Sequence, residues 1–319
     1  RKPVCMANVH KGLIVVLLLT LTAAIGAQAE TSNQSPNPPS EVTIGVRAHL
    51  GREEAIFRWQ PTMDYLNAQF PSTAFRLKTY ASPSAIEQGA ANKEYDFVIT
   101  DPGSFAVINV LYGFEEQLTL VNAWDGQLVT RFGSVVFTRR GLQDLNTFED
   151  LKGRSLMAVA PQAFGGWNVA RREFKRAGIT PSEDLAELKF ADGNQTTVVQ
   201  AVLDGSVDAG VVRTGTLEWL ERQGIIALDE FKILGVRSVP GFPFALSTEL
   251  YPEWVFADPP NTATAFRHDV LTALANIETT DRPAVAGDYF GWESATDYDS
   301  VVALLRELNA APFQYLGKS

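Results

Sequence analysis

Two distant stretches of this chain are built alike, and they restrict its fold more than any other feature. Residues 85–105 read AIEQGAANKEYDFVITDPGSF, and residues 198–217 read VVQAVLDGSVDAGVVRTGTL. Each runs through a helix, a Gly turn, an Asp and a buried strand to a polar residue that opens a new helix. Asp101 before Pro102 fits an N-cap followed by Pro at the first helical position. Thr214 fits the same capping place. Helices alternating with short apolar strands predict α/β layers built on parallel sheets. Two such units far apart in sequence predict two lobes of similar build. Ligands of these sheets bind outside the carboxyl ends of the strands. Those ends carry Ala48–Leu50, Thr100–Ser104, Gln162–Gly166 and Arg213–Thr214, which converge if the lobes face each other across a cleft.

Between the two units lies RSLMAVAPQAFGGWNVARREFKRAG, residues 154–178. Leu156–Ala160 reads as a buried strand, and a loop with Gly165 and Gly166 follows. An amphipathic helix then begins, with Val169, Phe174 and Ala177 toward a core. Its Arg171, Arg172, Lys175 and Arg176 face water. A strand, glycine loop and helix aim free N–H groups and the positive end of a helix dipole at one point, a natural seat for an anion. The competing reading is an ordinary tight turn. No Lys-Ser/Thr pair follows the glycines, so this is not a nucleotide P-loop.

The N-terminus reads as a signal peptide over 1–29. Arg1, Lys2 and Lys11 supply a basic start, Leu13–Ile25 an apolar run, and Ala27-Gln28-Ala29 a cleavage site. An uncleaved anchor competes, although the run is short of the roughly 20 residues that a span needs. Residues 30–40 are polar and Pro-rich and read as a disordered tether. The single cysteine, Cys5, lies inside the signal, so the mature chain carries no thiol, disulfide or Cys metal site. The net charge of −10 becomes −13 once the three basic residues of the signal are removed. A body this acidic repels nucleic acid, DNA included, and anionic lipid. Any small anion must be held by local geometry against that field. About 280 residues follow the tether, enough for two packed lobes.

Five segments carry a resemblance: FRWQPTMDYLN (57–67), TRFGSVVFTRRG (130–141), DLKGRSLMAVAPQAFGGW (150–167), VDAGVVRTGTLE (207–218) and PFALSTELYPEW (243–254). With them the chain resembles the phosphonate/phosphite-type periplasmic solute-binding proteins. Within that group it is most similar to the periplasmic sensor domains of tetrathionate-sensor-like histidine kinases. The resemblance implies a type-II periplasmic binding fold, with two α/β lobes joined by a hinge and closing on a small oxyanion. It implies a periplasmic location, an ABC permease or a membrane histidine kinase as partner, no cofactor and no catalysis. The lobes are expected at 41–128 with 236–319, and at 129–235. Transporter relatives use a Ser/Thr-rich loop for the phosphonate oxygens. Here Gln162-Ala163-Phe164-Gly165-Gly166 offers backbone N–H groups without hydroxyls. Relatives commonly carry a His where Gln195 stands.

The candidate ligand-binding residues are Tyr80, Thr100, Ser104, Arg131, Gln162, Phe164, Gly165, Gly166, Gln195, Arg213 and Thr214. Arg131, on an extended segment between lobes, suits a bidentate clamp on an oxyanion, with a salt bridge as its bland alternative. Arg213 ends a strand beside a helix cap, where a charge must face the cleft or find a partner. Thr100 and Ser104 flank the other helix start, and capping is their alternative role. Tyr80, Phe164, Trp124 and Trp167 suit either a pocket wall or the core. His49 and His268, without cysteine, make a poor metal inventory, so no metal is expected. The Glu53-Glu54 and Glu115-Glu116 pairs read as solvated faces. No nucleophile elbow, catalytic triad order or zinc-protease motif occurs. An enzyme on the same scaffold, with Asp101, Asp192 or His49 as its acid or base, and a signalling module with a vestigial cleft stay open as alternatives.

Overall fold

The short apolar runs fold into strands whose alternate residues serve opposite faces. A computed structural model describes residues 38–316. The expected signal, Cys5 and most of the expected tether lie outside the described residues. The end of the tether is held to the body. The Ala74 N–H donates to the Ser40 carbonyl at 2.8 Å, and Thr73 Oγ1 donates to the Pro39 carbonyl at 2.7 Å.

The strands are β1 (Glu41–Arg47), β2 (Ala74–Tyr80), β3 (Phe97–Thr100), β4 (Glu115–Trp124), β5 (Gln127–Val129), β6 (Arg131–Phe132) and β7 (Ser134–Arg139). Then come β8 (Ser155–Ala158), β9 (Glu187–Phe190), β10 (Ala209–Arg213), β11 (Phe231–Leu234), β12 (Tyr251–Pro252), β13 (Val255–Asp258) and β14 (Gly291–Ser294). The first sheet has the order β14-β4-β13-β3-β1-β2, with β5 also pairing with β4. The second has the order β11-β7-β10-β8-β9. Both are mixed rather than parallel. β1, β2 and β3 run parallel, but β13 enters antiparallel between β3 and β4. In the second sheet β8, β9 and β10 are parallel and β7 is antiparallel to β10 and β11.

Period-two side-chain placement explains the continuous apolar strands. Phe97 and Ile99 join the cluster around Trp59 and Met63, while Val98 joins the opposite cluster around Phe105 and Leu304. In the second sheet Val135 and Phe137 face Val198 and Leu217, and Val136 faces Phe174 and Leu145. Among the described residues no helix is long and apolar enough to cross a membrane.

The sheets are joined by two strands that pair with each other. In β6 and β12, Phe132 lies opposite Tyr251, and Arg131 opposite Pro252. The Glu253 N–H donates to the Thr130 carbonyl at 2.9 Å. The stretch 236–248, expected with the first lobe, is instead bound to the second sheet. The Ser247 N–H donates to Ser134 O at 3.0 Å, and Ser247 Oγ donates to Leu234 O at 2.7 Å. The Val136 N–H donates to Ser247 Oγ at 2.9 Å. The return crossing therefore falls near 249–254.

The basic face of the helix Val169–Arg176, expected in water, is docked on carboxylates. Arg172 pairs with Glu307 at 2.7 Å and Glu249 at 3.1 Å and donates to Tyr251 Oη. Arg176 pairs with Glu249 at 2.8 Å and Glu307 at 3.4 Å. Glu307 ends the helix Asp299–Glu307, which packs on the first sheet through Val301 and Leu304.

Gly133 sits where the two connections cross. A Cβ there would stand 2.6 Å from Thr248 Oγ1 and 2.7 Å from the Glu249 carbonyl. Backbone cannot yield as a side-chain tip does. Gly133→Ala is expected to lower unfolding stability by about 1–3 kcal/mol, read as a lower urea midpoint at unchanged slope. An unchanged midpoint would show that the crossing is not tightly packed.

Candidate functional site

The carboxyl ends of β1 and β10, the glycine loop and the hinge strands bound two adjoining chambers. The larger, about 760 Å³, is lined by His49, Arg58, Trp124, Arg213, Trp219 and Phe244 among others. The smaller, about 100 Å³, is lined by Arg47, Asp101, Gln162, Phe164, Gly165, Gly166 and Trp254 among others. They share His49, Phe132, Gly193, Gln195 and Arg213.

Arg213 ends β10 at this junction. Its guanidinium donates to Glu253, whose side chain is only 1% exposed, and lies 4.4 Å from the centroid of the Phe132 ring. The Arg213 N–H donates to Gln195 Oε1 at 2.8 Å, and Thr216 Oγ1 donates to the same oxygen at 2.9 Å. With that oxygen occupied twice, the amide nitrogen is the end of Gln195 left for the chambers.

The glycine loop is a turn of π-helix, Phe164–Asn168, running into the helix Val169–Arg176. Both glycines are required by close approach. A Cβ on Gly165 would meet the Phe132 ring at 2.6 Å, and one on Gly166 would meet Val159 Cγ2 at 2.5 Å. Ser134 Oγ donates to the Gly165 carbonyl at 2.6 Å, and the Val159 N–H donates to the Gly166 carbonyl at 3.2 Å. The carbonyls are thus tied back. The first N–H groups of the helical turn have no intrahelical partner, and Phe164, Gly165 and Gly166 line the smaller chamber.

Of the eleven candidates, Gln162, Phe164, Gly165, Gly166, Gln195, Arg213 and Thr214 line one or both chambers. Thr214 also serves the hinge, because its Oγ1 accepts the Gly133 N–H at 3.1 Å. Tyr80, Thr100, Ser104 and Arg131 line neither chamber. The Tyr80 hydroxyl donates to Glu94 at 3.0 Å beneath the first sheet. Thr100 is fully buried. Ser104 Oγ donates to Asp101, whose carboxylate also accepts the Gly103 and Ser104 N–H groups. That helix start is therefore already filled by a carboxylate of its own chain. Arg131 donates to the Leu250 carbonyl at 2.8 Å along the hinge. Trp167 belongs to the core of the second lobe.

Arg47, Arg58, Trp254 and Glu253 were missed. The strand-end rule that selected Arg213 also reaches Arg47 and His49. His49 rests on Trp254, ring centroids 4.7 Å apart, with much of its surface open to the chamber. Surrounding protein and the charges of Arg58, Arg213 and Arg47 hold its imidazole well below the usual range. It is neutral at pH 7. Among the described residues no group of three His, Asp or Glu side chains is arranged to hold a metal ion.

Behind the smaller chamber, burial and nearby Asp101 push the Glu87 carboxyl up to about 7, against the pull of Arg47. A carboxyl raised in the folded state favours folding only where it is protonated. That contribution is complete below about 4.5 and lost as pH climbs through 7. Glu87→Gln is expected to unfold like the parent near pH 4.5 and to be more stable by about 1–3 kcal/mol at pH 8. Thermal unfolding at the two pH values checks this, and a difference that does not grow with pH refutes it.

Residues 44–307 match the family described as ABC transporter, phosphonate, periplasmic substrate-binding protein. The tetrathionate sensor histidine kinase TtrS of Salmonella typhimurium is 31% identical over 275 residues, covering 85% of this chain and 44% of the relative. The chain thus spans less than half the length of that relative. PhnD1 from Prochlorococcus marinus, in complex with methylphosphonate, has a TM-score of 0.67 at 14% identity, covering 85% of this chain and 99% of that one. XAC2383 from Xanthomonas citri bound to ATP has a TM-score of 0.67 at 14% identity, covering 85% and 98%. The Escherichia coli sulphonate-binding protein SsuA has a TM-score of 0.52 at 12% identity, covering 88% and 82%. At these identities the structures show the fold, the two-lobed type-II periplasmic binding architecture. The sequence matches show more, and by them the chain belongs to the periplasmic substrate-binding proteins of the phosphonate ABC-transporter family.

Proposed function

We propose that this chain captures a small oxyanion between its lobes and reports the occupied state to a membrane partner. The carrying observation is the set of donors around the chamber junction. The Nε atoms of Arg47, Arg58 and Arg213 are each buried and without a hydrogen-bond partner among the described residues. Unpaired buried donors are costly, and closure of the lobes on an anion is the rearrangement that brings a charged acceptor to them. The free N–H groups of the glycine loop add a seat from the second lobe. An anion touching both lobes favours the closed form by its differential contacts.

Three of the similar proteins favour this chemistry, a tetrathionate sensor, a methylphosphonate complex and an aliphatic sulphonate-binding protein, each named for a small oxyanion of sulfur or phosphorus. The 31% identity to a sensor kinase, against 12–14% for the structural neighbours named, supports sensing over transport. The partner is then a histidine kinase, with an ABC permease as the second reading, and the location is the periplasm. We infer no turnover. Two of the chamber hydroxyls, those of Thr214 and Thr216, are engaged with Gly133 and Gln195, and the imidazole of His49 rests on a ring.

Titration of the chain with phosphate, phosphite, methylphosphonate, sulfate, thiosulfate and tetrathionate tests the reading. A ligand at about 100 times its Kd is expected to add roughly 2.7 kcal/mol to unfolding stability. Arg58→Ala and Arg213→Gln are each expected to weaken that ligand by about 10–100-fold. Unaltered affinity in both variants would sink the arginine site.

A further inference from the structure

The smaller chamber, about 100 Å³, has the scale of a few water molecules at about 30 Å³ each, which suits an oxyanion group alone. The larger, about 760 Å³, falls in the range of about 300–1,000 Å³ that encloses organic molecules. Its lining is of two kinds. The end shared with the smaller chamber, the floor, carries His49 and Arg213 with Arg58 close by, whereas Trp124 and Phe244 touch and with Trp219 form an aromatic wall; Phe57 and Val285 also line the chamber. Three of these are conspicuously wet: Phe57 is 66%, Val285 65% and Trp219 44% exposed. Large apolar side chains gathered around a cleft mark a binding surface.

The wall is held in place. Trp124 meets Phe244 edge-on at 5.2 Å, and its face carries the Arg222 guanidinium at 3.4 Å. Asp125 holds that guanidinium at 2.6 Å. Arg222 and Trp219 lie on one short helix, Thr216–Arg222, so the second lobe presents Trp219 beside the ring that it clamps. Glu54, Asp192 and Asp288 also line this chamber. Glu54 and Asp288 lie near Arg58 and offset its charge, so a second anionic group finds no uncompensated cation in this chamber.

We propose that the ligand is an organic oxyanion with a single charged head and an aromatic or extended apolar body. The head occupies the junction of His49, Gln195 and Arg213, and the body lies against Trp124, Trp219 and Phe244. This rests on the oxyanion reading above and adds the second half of the molecule to it.

Isothermal titration of the chain with two head-group series provides the test. One series is methyl-, hexyl-, phenyl- and naphthylsulfonate, the other the matching phosphonates, with sulfate and phosphate as inorganic members. Affinity is expected to rise at least about tenfold from methyl to aryl. A dianion such as benzene-1,4-disulfonate is expected to bind more weakly than the aryl monoanion. Trp219→Ala, and separately the exposed Phe57→Ala, are expected to lower the aryl-to-methyl affinity ratio by about three- to tenfold. If methyl or inorganic members bind as tightly as aryl ones, or the variants leave the ratio unchanged, the apolar body is refuted and the oxyanion site stands. If no member of either series binds, the oxyanion reading fails as well.

Discussion

The cleft depends on one buried carboxylate. Glu253 lies on the return crossing with its side chain 1% exposed, and a charge so placed must have a partner. Arg213 supplies it. Such a pair adds little net stability, because desolvation offsets its attraction. What it fixes is position. The guanidinium is drawn across the Phe132 ring, and that ring in turn excludes any side chain at residue 165. The Glu253 backbone is pinned on both sides, its N–H donating to Thr130 O and its carbonyl accepting the Tyr298 hydroxyl at 2.7 Å. The hinge, the strand end and the glycine loop are thereby set by one ion pair.

The glycine loop is also mechanically joined to the grip between the lobes. The helix that starts at the loop carries Arg172 and Arg176, and these hold Glu249 on the return crossing and Glu307 on the C-terminal helix. Exposed ion pairs count for little, but the Arg172 side chain is only 12% exposed and has three partners. On the cleft side, a Cβ at Gly103 would come within 3.0 Å of Phe164 Cβ, so the lobes already touch beside the smaller chamber. An anion seated on the loop pulls on a helix anchored at both places. Closure is then a shift between packed arrangements of one rigid element.

Much of this was legible because the strand-end rule is strict. It reached Arg213 and the loop 162–166, and the same rule reaches Arg47 and His49. It failed to reach Arg58. In its helix, Arg52–Gln69, Phe57 is exposed while Pro61 and Thr62 are buried, so polarity does not report the inner face. Strand β13 was missed because its three apolar residues, Val255–Ala257, carry no period of their own, and their slot between β3 and β4 is set by contacts far away in sequence. Arg131 misled for a local reason. An extended residue between lobes looks free, but pairing of the two crossings gives it the Leu250 carbonyl. Nor does sequence separate Trp219 from a core tryptophan such as Trp167, since the difference is only which side of a helix meets solvent.

The acidic balance of the chain, −10, explains why the cationic floor is never left unopposed. Each arginine has carboxylates of its own. Asp101 and Glu87 lie near Arg47, Asp288 and Glu54 near Arg58, and Glu253 binds Arg213. Three bare guanidiniums around two adjoining chambers, with His49 between them, would repel one another and open the cleft. With carboxylates beside them the cationic charge of the unliganded site is fully offset, while the unpartnered Nε donors remain. Long-range attraction contributes little to such a site in an acidic body. Selectivity then rests on short-range geometry, where an oxyanion of the right size meets donors from both lobes at once and a larger field of charge is not required.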